Sequence, residues 1–122
     1  MQLGAEMIAR VAQHGMGALT PDETEIYTIQ CFVNEFESNG LSGYFYNTLP
    51  DLDGTRAVVQ ALRRRQFDQV ADPLACALNL FQNYSDPGPP STWFAVLRLY
   101  DPLDQLDTFD AAIGRAIDQL GL

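Results

Sequence analysis

Residues 20–40 read TPDETEIYTIQCFVNEFESNG, and the way this stretch is read decides the fold. Thr20 offers a side-chain oxygen to free helix amides. Pro21 suits the first helical position, where its missing N–H costs nothing, and Glu23 completes a capping box. Beyond that start, Ile26, Ile29, Val33 and Phe36 fall on one helical face, and Tyr27, Cys31 and Phe32 widen it. So broad an apolar face predicts a central helix running to about Ser38. Gly40 stands where a left-handed cap residue would end it.

The flanking sequence reads in the same way. Leu3, Met7, Ile8 and Val11 share a helical face over residues 3–14, and Gly15 and Gly17 stop that run. After the central helix, Leu49-Pro50-Asp51 predicts a turn. A helix follows from Thr55 to Arg65, with Val58, Val59 and Leu62 inward. A further helix is expected over about 69–83 through Val70, Leu74, Leu78 and Phe81. Pro73 leaves its start open: Asp72 caps a helix beginning at the proline, or the proline sits in an early turn of a longer one. SDPGPPS at 85–91 reads as a loop. STWFAVLRLY at 91–100 is poor in β-branched residues and favours a short helix over a strand, with Pro102 interrupting it. Leu103, Leu106, Phe109, Ile113, Ile117 and Leu120 predict a last helix over 103–120. The expectation is a single all-α domain over residues 1–122, built from five to six helices.

Composition narrows the function. The chain has 122 residues, 47% of them apolar, enough to bury a core. Sixteen acids face seven bases, giving a formal net charge of −9, and every base is an arginine. Residues 1–50 hold six acids and one arginine, residues 101–122 five and one, and the middle is balanced at five each. Acidity of this kind argues against direct nucleic-acid binding and against anionic membranes; it fits a basic partner protein, though charge alone favours the plainer reading of a surface that keeps the protein soluble. The first residues, MQLGAEMIARVAQHG, break their apolar positions with Glu6, Arg10 and His14, unlike a signal peptide, and no apolar run approaches a membrane span. The expected location is the cytoplasm. One histidine and no CxxC pair predict no metal site of the usual zinc type and no cofactor. Cys31 and Cys76, flanked by Ile29, Phe32, Leu74 and Leu78, read as small buried hydrophobes, with a disulfide open only if their segments pack together.

No familiar catalytic motif is present. His14 ends its helix, where a histidine favours the dipole. Glu35 and Glu37 are two residues apart and point in different directions, so they do not form an acid–base pair. Glu35 lies beside the apolar face, where a carboxylate more often anchors amides than catalyses. Asp101, Asp104, Asp107 and Asp110 recur every three residues. On a helix this forms a ridge rising about 4.5 Å per step and wrapping slowly round it. The plainer reading is a solvated face with its first acids on the helix dipole; the sharper is a row of charges that a basic groove reads as a phosphate backbone. Arg63-Arg64-Arg65 ends its helix and is expected to pair with acids, within the chain or across a dimer.

One motif goes further. Glu35, Asn39, Gly40, Leu41, Gly43, the Tyr44-Phe45-Tyr46 run and Asn47 resemble the signature of the DNA-mimic-protein-nineteen-like domain family, a family of domains of unknown function. Ala61-Leu62, the stretch Ala77-Leu78-Asn79-Leu80-Phe81, and Leu106-Asp107 with Phe109 resemble its later helices, so the likeness spans about 20–120. Asn39 stands where a second glycine is usual, and Glu37-Ser38 replaces a commoner pair of asparagines. The resemblance implies a compact helical domain, often dimeric, in a family named for an acidic member that presents itself as DNA to a nucleic-acid-binding regulator.

Taken with the charge, this predicts a non-enzymatic acidic interaction domain that binds a basic protein surface, with a DNA mimic acting on a DNA-binding protein as its sharper form and a homodimer as a further expectation. The motif reads as a structural hinge, with LSGYFYN turning the chain back and Glu35 and Asn47 tying turn amides. The candidate interaction surface is Asp22, Glu23, Glu25, Asp51, Asp53, Asp101, Asp104, Asp107, Asp110 and Asp118. Two alternatives stand beside it: an immunity-type protein neutralising a toxin, and a small-molecule or hydrolase site around Glu35, Tyr44, Tyr46 and Asn47.

Overall fold

The computed structural model describes the backbone of residues 2–85 and 92–122, and the side chains of 6–85 and 92–122. Six α-helices form among them: α1 (Gln2–His14), α2 (Pro21–Thr48), α3 (Leu52–Arg64), α4 (Asp68–Leu80), α5 (Trp93–Tyr100) and α6 (Gln105–Leu120). A short 3-10 turn, Met16–Ala18, links α1 to α2, and no strand forms among the described residues. None of these helices is long and apolar enough to cross a membrane. Most of the SDPGPPS loop lies outside the described residues.

The capping box at the head of α2 forms in full. Thr20 Oγ1 accepts from the Glu23 amide and the Glu23 carboxylate accepts from the Thr20 amide, both at 3.1 Å. From there α2 buries Ile26, Ile29, Phe32, Val33 and Phe36. The helices α2, α3, α4 and α6 close a ring in which each packs on its two neighbours, and α1 lies outside against α2. Ile29, Phe45, Leu62, Val70, Leu74, Phe81 and Ile113 fill the middle of the ring with no exposed surface. α5 is held at the side through aromatic contacts. Trp93 stacks on Phe81 at 6.0 Å, and Tyr100 lies 5.9 Å from Phe81 and 5.4 Å from Tyr84.

Several expectations are corrected. Gly40 does interrupt the central helix as expected, but the stretch after it is a second helical arm and not a turn. Gly40 has φ 69 and ψ 179, which breaks the hydrogen-bond run, but the helix resumes and LSGYFYN forms its second arm over 41–48. The signal for that arm is present: Leu41, Tyr44 and Phe45 are buried at helical spacing while Tyr46 is exposed. Helix α3 begins at Leu52, ahead of the expected Thr55, because Asp51 Oδ1 caps the Gly54 amide at 3.0 Å. Of the two starts left open for α4, the longer helix forms: it begins at Asp68 with Pro73 inside it, so Asp72 is not a cap.

The last helix starts at Gln105, and Leu103 falls in the turn before it, 76% exposed. Cys31 and Cys76 are both free and exposed. Their apolar neighbours in sequence are no guide to burial, because adjacent helical residues differ by about 100° in direction.

Candidate functional site

The family-like motif sits at the kink of α2 and is stitched by its own side chains and by side chains from three other helices. Glu35 Oε1 accepts from Asn39 Nδ2 at 3.0 Å and from Asn47 Nδ2 at 2.6 Å. The first bond follows helical i to i+4 spacing; the second reaches across the kink and staples one arm to the other. Glu35 and Asn47 therefore bond to each other, and the expected ties to turn amides do not form. At the kink, Asp110 Oδ2 of α6 accepts from the Leu41 amide at 2.8 Å. Asp110 thus caps the second arm from another helix. Close approach matters here: a Cβ on Gly43 would stand 2.6 Å from Asn39 Cβ, and one on Gly40 would stand 3.1 Å from Asp110 Oδ2.

The aromatic run divides by direction. Tyr44 points into the core, where its hydroxyl lies 2.7 Å from Thr55 Oγ1, and burial is the main cause that pushes its pKa up. Phe45 is wholly buried 4.8 Å from Phe81. Tyr46 faces out with its ring edge-on to Trp93 at 5.7 Å, and the Trp93 indole N–H donates to Ser42 Oγ at 2.7 Å. Glu35, Asn39, Gly40, Gly43, Tyr44, Phe45, Tyr46 and Asn47 thus lie together, and each has a packing or hydrogen-bonding task at the junction.

The acids fall into two groups. Most are occupied within the fold. Asp22 pairs with Arg65, while Glu25 accepts from Arg64 at 2.6 Å and Arg65 at 3.2 Å. The expected intramolecular pairing of the arginine triplet thus forms, since Arg63 meets Asp72 at 2.7 Å and Asp68 at 3.6 Å. The Arg64 hydrogen bond is the largest cause holding Glu25 below the usual carboxylate range, and the Asp72 hydrogen bond raises Arg63. Glu23 is lowered first by the Thr20 amide and then by Arg10, 2.7 Å away. Asp53 pairs with Arg56 at 2.7 Å.

The aspartate ridge is divided. Asp101 is buried and accepts from the amides of Gln105 and Leu106 at 2.7 and 3.0 Å, capping α6. Asp110 is taken by Leu41. Asp104 and Asp107 remain, so the row does not present four free charges. Among the described residues, the side chains of Glu37, Asp104, Asp107 and Asp118 are exposed and make no hydrogen bond or ion pair. Asp107 and Asp118 are eleven residues apart on α6, about three turns, so they share one side roughly 16 Å apart. Asp86 lies outside the described residues.

Sequence reasoning missed one feature. Phe94 and Leu99 of α5, together with Leu103, are exposed at 65%, 72% and 76%. The signal was in STWFAVLRLY, whose apolar residues surround a short helix on more sides than one packing face can bury.

Fold and motif define a small all-α domain organised on a kinked, side-chain-stapled helix. The chain belongs to the DMP19-like protein family, whose sequence model matches residues 17–121. No curated protein and no solved structure matches the chain.

Proposed function

We propose that this chain is a non-enzymatic binding domain whose partner is a basic protein surface, of the kind that otherwise holds nucleic acid. The carrying observation is the asymmetry of internal pairing. Five of the seven arginines, Arg10, Arg56, Arg63, Arg64 and Arg65, are consumed by acids of the same chain, while Arg98 and Arg115 form no ion pair among the described residues. Glu37, Asp107 and Asp118 are left exposed and unpaired on a protein of net charge −9. Such charges steer a cationic partner and set the salt dependence of binding. The motif around Glu35 supports the same reading, because both amides that reach its Oε1 serve the kink.

The test is capture of host proteins on the immobilised domain, followed by titration of each purified partner with the triple variant Glu37→Gln/Asp107→Asn/Asp118→Asn. Weakening of roughly tenfold at physiological salt, and competition by duplex DNA, are expected. A partner whose binding ignores both the variant and DNA would overturn the reading. If that partner were a toxin, the immunity-type alternative would take its place.

A further inference from the structure

Where α5 runs into the turn before α6, a groove of about 440 Å³ opens, lined by Phe94, Leu97, Arg98, Asp101, Pro102 and Asp104. Small-ligand sites of roughly 300–1,000 Å³ combine apolar walls with a few placed polar groups. Here Phe94, Leu97 and Pro102 supply the walls, and the polar groups are three charges.

Local structure fixes what each charge is free to do. The Asp101 carboxylate accepts from the Gln105 and Leu106 amides at 2.7 and 3.0 Å, so it is spent on starting α6. Asp104 stands at the N-cap position of that helix, yet its side chain makes no capping bond. Its backbone N–H donates to the Asp101 carbonyl at 3.2 Å, so a closed turn carries the uncommitted carboxylate. The Arg98 guanidinium lies over the Phe94 ring at 4.5 Å. Stacking of this kind orients the guanidinium plane and leaves its N–H donors open to a carboxylate. Among the described residues, neither Arg98 nor Asp104 has an ion-pair partner, although both line the same groove.

The groove thus holds one uncommitted charge of each sign beside an apolar wall. A purely anionic ligand would be opposed by Asp104, and a purely cationic one by Arg98. We propose that the groove binds a small zwitterion with an apolar side chain, an α-amino acid by class. Its carboxylate meets Arg98, its ammonium meets Asp104, and its side chain lies against Phe94, Leu97 and Pro102. This site does not rest on the basic partner proposed above, whose carboxylates are Glu37, Asp107 and Asp118.

The experiment is a chemical-shift titration of the ¹⁵N-labelled full chain with L-phenylalanine, its N-acetyl form, which lacks the ammonium, and its amide, which lacks the carboxylate. Phenylalanine should shift the amides of α5 and of the turn into α6, with a Kd of about 1 mM or tighter. Each derivative should bind about tenfold more weakly, and Arg98→Gln and Asp104→Asn should each weaken phenylalanine by a similar factor. Asp104→Asn should leave the N-acetyl form unaffected, and Arg98→Gln should leave the amide unaffected. No shift at about 10 mM phenylalanine overturns the proposal. So does a derivative that binds as tightly as the free amino acid, or binding that both variants, folded by circular dichroism, leave intact. The three ligands on the wild type decide the matter even where a variant fails to fold.

Discussion

Replacing Gly40 by alanine should cost this fold far more than the loss of one glycine suggests. The residue holds φ 69 and ψ 179, a region that side chains with a Cβ rarely enter, and occupying it costs about 1–3 kcal/mol. A second cost comes from α6. The new Cβ would stand 3.1 Å from Asp110 Oδ2, the atom that accepts the Leu41 amide at 2.8 Å. Moving that carboxylate weakens a charge-assisted hydrogen bond worth roughly 1.5–3 kcal/mol. Together the two give about 2.5–6 kcal/mol, a large share of the 5–15 kcal/mol usual for a domain.

Gly15 provides the comparison. It has a similar backbone, φ 81 and ψ 174, but nothing lies within 4 Å of the Cβ it would gain. Gly15→Ala should carry the backbone cost alone, about 1–3 kcal/mol. The assay is reversible denaturation, with Gly40→Ala, Asp110→Ala and the double variant forming a cycle. Because both single changes disturb the same Leu41 contact, the double variant should cost clearly less than their sum. Strict additivity, or a Gly40→Ala cost no greater than that of Gly15→Ala, would refute the account of the kink.

Asp101→Ala removes a buried carboxylate that serves two amides of α6, so a loss of about 2–3 kcal/mol is expected, seen as a melting temperature roughly 10 °C lower. Tyr44→Phe strands the Thr55 hydroxyl, only 1% exposed, and should cost about 1–2 kcal/mol. Adding Thr55→Val should recover part of that cost, and a denaturant titration of the three variants checks it. Glu23 and Glu25 both have folded pKa values below their ordinary 4.5. Their contribution is therefore present above about pH 4.5 and is lost as pH falls through the depressed folded values. Melting temperatures from pH 6 down to about 3 should fall less steeply for Glu25→Gln than for the wild type, and identical slopes would remove the effect assigned to Arg64 and Arg65.

Local signals carried much of the fold in the sequence. The capping box at Thr20 acts over three residues, and the apolar periods of α1, α3, α4 and α6 act within single helices. The short helix α5 was legible from its composition for the same reason. What escaped was set by partners distant in sequence. Gly40 looks like a helix end until Asp110, 69 residues beyond Leu41, supplies the acceptor that lets the helix restart. Leu103 fits the apolar period of α6, but the Asp101 carboxylate starts that helix two residues later and leaves it outside. The cysteines were misplaced because flanking residues in sequence stand on other sides of a helix. The acids were legible as a total and not individually, since their surplus depends on which arginine each one meets.

The single tryptophan has a use beyond packing. Trp93 touches the second arm of α2 through Ser42 and Tyr46, and it stacks on Phe81 at the end of α4. The chain therefore carries its own fluorescent reporter at the point where the family motif, α4 and α5 converge. Its emission tracks whether that junction is assembled and ignores fraying of α1, so stopped-flow mixing can time the closure of the kinked helix without any label.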